Sequence, residues 1–108
     1  MSGRNVWLER RYRTGFEGSP KTVRAIWYAP EPRGVDWICP FLIEGEGFEP
    51  VVREAWGVDA VQALLLAMQA VSSRLYIHEP PIYWHRPDDD LGLPVSEPIA
   101  DLRDARTK

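Results

Sequence analysis

Alternation of apolar and polar positions dominates the first half of the chain and predicts four strands. Val6 to Thr14 (VWLERRYRT) stops at Gly15 and Gly18-Ser19-Pro20. Lys21 to Ala29 (KTVRAIWYA), rich in β-branched and aromatic residues, stops at Pro30-Glu31-Pro32-Arg33-Gly34. Asp36 to Glu44 (DWICPFLIE) places Trp37, Cys39, Phe41 and Ile43 on one face. Pro40 in its middle donates no ladder hydrogen bond, so a bulge or a sheet edge is expected there. Gly45-Glu46-Gly47 marks a turn, and Val51 to Trp56 forms the fourth strand. Strands at this spacing, joined by short turns, predict an antiparallel meander.

The period then changes from two to 3.6. Gly57-Val58-Asp59 opens a helix over about 59–77, with Asp59 as N-cap and Gln62 completing a capping box. Val61, Leu64, Leu65, Met68, Val71 and Leu75 fall on one broad apolar face, expected to cover the sheet. Pro80-Pro81 ends the helix near Ile77. The opposite face, Gln62, Leu66, Gln69 and Ser73, is almost uncharged; between Asp59 and Ile77 the one charge is Arg74. Solvent faces normally carry more charge, so the C-terminal segment or a partner subunit is expected to lie over Leu66. Burying that side chain fully contributes about 1.5–3 kcal/mol. The tail, 80–104, carries Ile82-Tyr83-Trp84 and alternating Leu91, Leu93 and Val95, and reads as a Pro-rich strap or a hairpin with an acidic loop. Ser96 is placed to cap a short final helix from Glu97 to about Ala105, with Pro98 in its first turn. The expectation is one α+β domain over 1–108.

Composition narrows the functional classes. The chain has 108 residues, 13 Lys plus Arg against 16 Asp plus Glu, and one cysteine, so no internal disulfide forms. The first 54 residues carry eight basic and eight acidic side chains, the remainder five and eight. A mildly acidic chain lacks the concentrated positive field that nucleic acid requires, so no nucleic-acid partner is expected. MSGRNVWLERRYR has no apolar core, which predicts no signal peptide. The longest apolar run, Ala63 to Met68, is too short for a bilayer, which predicts no membrane partner. A cytoplasmic location follows from these readings.

Candidate chemistry is sparse. His78 and His85 with Asp88, Asp89 and Asp90 offer imidazole and carboxylate ligands, and His78, His85, Asp88 and Asp90 form a candidate metal site at a spacing that matches no standard motif. Cys39 shares a face with Trp37 and Phe41, where a thiol packs as a small hydrophobe. Gly45-x-Gly47 lacks the third glycine and following helix of a dinucleotide site, and no phosphate loop exists, so no cofactor is expected. The aromatics are the remaining signal. Trp7, Trp27, Trp37, Trp56 and Trp84 fall one per segment, serving mainly the core. Alternation puts Trp7 with Arg11 and Arg13. Aromatic rings with arginine dominate binding hot spots, which marks Arg11, Arg13, Trp27, Tyr28 and Trp84, together with Leu66, as candidate binding residues.

Three motifs carry a resemblance that spans nearly the whole chain. They are Glu9-Arg10-Arg11-Tyr12, Trp37-Ile38-Cys39-Pro40-Phe41-Leu42-Ile43-Glu44-Gly45 and Gly57-Val58-Asp59-Ala60-Val61-Gln62-Ala63-Leu64. The chain resembles a family of small uncharacterised bacterial proteins, a domain of unknown function with an E-R-x-Y first strand and a G-V-D-A-x-Q-A-L helix start. Leu75-Tyr76, Gly92-Leu93-Pro94-Val95 and Asp101-Leu102-Arg103-Asp104 match its later pattern, whereas the loop 80–90 departs from it. The resemblance implies a bacterial, cytoplasmic origin and no assigned activity. The function expected is a non-catalytic binding module for a protein partner or a second copy of the chain. The alternative is a small enzyme or metal-binding protein using the 78–90 region.

Overall fold

A computed structural model describes residues 5–15, 20–86 and 88–107. The strands are β1 (Val6–Thr14), β2 (Lys21–Tyr28), β3 (Glu31–Arg33), β4 (Asp36–Glu44), β5 (Arg53–Gly57) and β6 (Ile82–Tyr83). Two helices, α1 (Ala60–Ile77) and α2 (Glu97–Thr107), complete the α+β fold. All ladders are antiparallel. β5 pairs β4 from Trp37 to Phe41, opposite stretches that also face β3 and β2. β3 and β2 therefore share one edge of β4, and the spatial order is β6, β1, β2 with β3, β4, β5. The meander is the one that alternation predicts, with β3 and β6 as short additions.

Pro40 lies where the edge of β4 passes from one ladder to the other. Between the pairs Trp27↔Phe41 and Glu31↔Ile38, three residues on one chain oppose two on β4. The irregularity expected at Pro40 falls in the facing chain, at Ala29-Pro30. A second irregularity separates Val6 from Leu8 in β1. It turns Trp7 away from the Arg11 and Arg13 face, so that its ring lines an apolar groove with Pro30, Val61 and Leu64.

The capping box at α1 forms in a shifted version. Asp59 Oδ1 accepts from Gln62 N at 2.8 Å, and Gln62 Oε1 accepts from Val58 N at 2.7 Å, one residue before the cap. The inward stripe of α1 keeps Val71 and Leu75 of the face that apolar periodicity predicts, with Leu64 and Met68 packed beside the core, but differs from it in the first two turns. Ala63, Ala67, Val71 and Leu75 are fully buried at i, i+4 spacing, whereas Val61 is 75% exposed and Leu65 also faces solvent. Close approach explains the choice. A Cβ on Gly57 would stand 2.4 Å from Ala63 N, so the first turn of α1 lies directly on the end of β5. At that separation alanine fits the sheet and larger side chains do not.

One helix cannot span the sheet. α1 packs on β5 and β4 and only lightly on β2, and the strap fills the remainder over β1. Ile82 and Leu91 are fully buried and join Tyr12, Val23, Ala25, Trp27, Cys39, Phe41 and Ile43 in the core. Main-chain groups of the strap are held by side chains: Tyr12 Oη donates to Leu91 O at 2.8 Å, and Leu91 N donates to Tyr76 Oη at 2.9 Å. Ser72 Oγ donates to Pro94 O at 2.7 Å. The tail thus covers the Ser72 and Tyr76 side of α1. Leu66, expected beneath it or beneath a partner subunit, is not covered by the tail and remains 37% exposed. By length and composition alone α1 is apolar enough to cross a membrane; in this fold its inner stripe faces the sheet.

Candidate binding clefts

β1 is paired by β6 only at Arg13 and Thr14, so the chain leaving β6 runs past the β1 edge. There Trp84 and His85 stack at 4.7 Å and 23°. Arg11, Tyr12, Arg13, Thr22, Trp84 and His85 line a cleft of about 260 Å³. Three of the residues singled out from sequence, Arg11, Arg13 and Trp84, are thereby brought together across 71 positions of chain (84 minus 13).

The ring pair is fixed from behind. Arg10 Cζ lies 4.1 Å from the Trp84 ring centroid, and its Nη1 donates to Gly92 O at 2.8 Å. Gly92, at φ +70°, is required: a Cβ would stand 2.6 Å from the indole and 2.8 Å from Arg10 Nη1. The acidic loop shapes the turn. Asp89 Oδ2 accepts from His85 N and Arg86 N at 2.7 Å each, and these donors hold its carboxyl below the usual range.

Positive charge at this cleft is incompletely matched. Arg24 binds Glu9 through Nε at 3.0 Å and Nη2 at 3.2 Å, and binds Glu44 at 2.6 Å. Arg11 shares the same Glu9 at 3.2 Å. The two guanidiniums hold the Glu9 carboxyl below its ordinary value, Arg24 foremost. Arg13 makes no ion pair among the described residues.

The other residues singled out lie elsewhere. Trp27 is 2% exposed and belongs to the core, because its alternation partners Val23 and Ala25 face α1 and the strap; it offers no surface. The Tyr28 side chain is half-buried on the other face of the sheet, while its backbone carbonyl accepts from the core thiol Cys39 Sγ at 3.4 Å. Burial pushes the Cys39 thiol up to about 11. Among the described residues no three His, Cys, Asp or Glu side chains form a group that could hold a metal. His78 stacks on Phe48 and His85 on Trp84, while Asp90 Oδ1 accepts from Gly92 N at 2.6 Å.

Sequence reasoning missed a second cleft, of about 300 Å³, between the loop 45–52 and the end of α1. Arg53, Arg74, His78, Phe41 and Phe48 line it. Arg74 stood out in the sequence as the one charge on an otherwise uncharged helix, a signal of position rather than of chemistry.

The fold and its surfaces define an α+β domain with a sheet covered on one face by a helix and a strap, and cationic aromatic clefts at two of its borders. The chain belongs to the family described as "Domain of unknown function (DUF6968)", whose pattern matches residues 8–95. That match contains every residue of both clefts and ends before α2. No curated protein and no solved structure matches the chain.

Proposed function

We propose that this chain is a non-catalytic binding module of the bacterial cytoplasm that docks an acidic segment of a protein partner at the β1 edge. The observation that carries the reading is the convergence of Arg11 and Arg13 on the stacked Trp84–His85 pair. Guanidinium groups recognise carboxylates in a planar, two-donor geometry, and aromatic faces supply contact area at low entropy cost. Arg13 enters the interface without first breaking an ion pair with any described residue. Trp84 is held between Arg10 and His85, so little side-chain ordering remains to be done on binding. A local positive edge on a chain of net charge −3 also orients an acidic partner toward this edge.

The test is affinity capture from native cell extract with wild-type bait and with Arg11→Glu/Arg13→Glu bait, both checked by far-UV circular dichroism. The expected result is an acidic protein captured by the wild type, lost with the double variant, and released at about 0.5 M salt, where the screening length falls to roughly 4 Å. A protein captured equally by both baits contradicts the reading. So does a wild-type dimer that the double variant converts to a monomer, because a second copy then occupies the edge.

A further inference from the structure

The second cleft carries chemistry that the β1 edge does not. Arg74 enters it from the last turns of α1, and Arg53 from the start of β5. Arg74 Nη1 donates to Ala70 O of its own helix at 3.3 Å, and its Cζ stands 5.9 Å from the Phe41 ring centroid. It makes no ion pair among the described residues. Burial, and then the neighbouring charge of Arg53, depress its affinity for its proton. Arg53 has Glu49 at 3.6 Å, a carboxylate that is largely exposed. Among the described residues, two guanidiniums therefore have one loosely held carboxylate between them, and the more buried of them pairs with none. An incoming anion relieves that imbalance.

The facing wall is aromatic and ordered. Phe48 stacks on His78 at 4.6 Å and 15°. His78 Nδ1 lies 2.9 Å from Pro80 O, an atom that only accepts, so Nδ1 carries the proton and Nε2 is the ring nitrogen left for other partners. Gly47, at φ +93°, makes room for this ring, since a Cβ there would stand 2.6 Å from Nε2. A volume of about 300 Å³ is at the small end of the range for ligand sites.

We propose that this cleft binds a small monocarboxylate with a flat apolar body, its carboxylate on Arg74 and Arg53 and its body against Phe48 and Ile77. Glu49 at the rim disfavours a dianion such as inorganic phosphate relative to a monocarboxylate. The Phe48 ring favours a ligand with an aromatic face.

Benzoate, benzamide and inorganic phosphate serve as probes in amide-resolved NMR titrations of the full chain. Benzoate is expected to shift Gly47, Phe48, Arg53, Arg74 and His78 saturably, and benzamide, the same shape without charge, to bind at least about tenfold more weakly. Arg74→Met, which keeps an apolar stem, and independently Arg53→Met are expected to weaken benzoate by about tenfold or more. Arg13→Met leaves benzoate binding unchanged, which separates this site from the β1 edge. Benzamide binding as tightly as benzoate, phosphate binding as tightly as benzoate, undiminished benzoate binding in both arginine variants, or no saturable benzoate shift each overturns the proposal.

Discussion

Replacing Tyr12 by phenylalanine tests how the strap is held on the sheet. The hydroxyl donates to Leu91 O at 2.8 Å in a fully buried setting, and Arg10 Nη1 reaches the same oxygen at 3.3 Å. Because this second donor remains, the carbonyl is not orphaned. The loss is then one net hydrogen bond, about 1 kcal/mol, rather than a desolvation penalty of up to about 3 kcal/mol. Tyr76→Phe removes the acceptor of Leu91 N, and the larger cost, about 1–3 kcal/mol, is expected there. Both hydroxyls clamp one residue, so the double variant departs from additivity by about 0.5 kcal/mol or more. Urea unfolding at unchanged slope gives the three values, and amide exchange at Leu91 reports local opening. The reasoning fails if Tyr12→Phe costs more than Tyr76→Phe, or if neither variant speeds exchange at Leu91.

Four further outcomes follow from the same contacts. Burial raises the Tyr12 hydroxyl from 10.0 to about 12. The folded state therefore keeps a proton that the unfolded chain loses above pH 10, and stability falls between pH 10 and 12 by up to about 1.4 kcal/mol per unit; pH-resolved unfolding shows a shallower alkaline slope for Tyr12→Phe. Gly57→Ala places a methyl against the Ala63 backbone and lowers stability by about 1–3 kcal/mol or more, read as a fall in melting temperature. Asp59→Ala removes the acceptor for Gln62 N and costs about 1 kcal/mol in urea unfolding. Leu66→Asp removes a side chain that is only 37% exposed and lowers stability by about 1–2 kcal/mol in urea unfolding, while the elution volume in size exclusion stays unchanged.

The strands, the meander and the start of α1 were legible because alternation, turn residues and the Asp59–Gln62 cap all act locally. The strap was legible from Leu91 and Leu93, whose apolar side chains within a Pro-rich tail need a core to enter. The inward face of α1 was legible in part: Val71 and Leu75 are buried and Leu64 and Met68 pack against the core, but the first two turns were not. Periodicity counts apolar residues, whereas the separation set by Gly57 selects small ones, so Ala63 and Ala67 turn in and Val61 and Leu65 turn out. The turn of Trp7 depends on a one-residue slip against β2 that alternation alone does not reveal. At the β1 edge, residue type pointed to Arg11, Arg13 and Trp84, and the short ladder of β6 brought them together. Arg53 and Arg74 meet only because α1 crosses β5, a long-range fact with no local signature.

The most direct measurement is hydrogen exchange on this chain in complex with the protein that Arg11 and Arg13 are expected to capture. Protection beyond that of the free chain is expected at residues 11–13, at Thr22 and across Trp84 and His85, with no added protection at these amides for the Arg11→Glu/Arg13→Glu variant. Protection centred on Gln62, Leu66 and Gln69, with 11–13 and 84–85 unchanged, would show that the partner docks on the open face of α1 and not at the β1 edge.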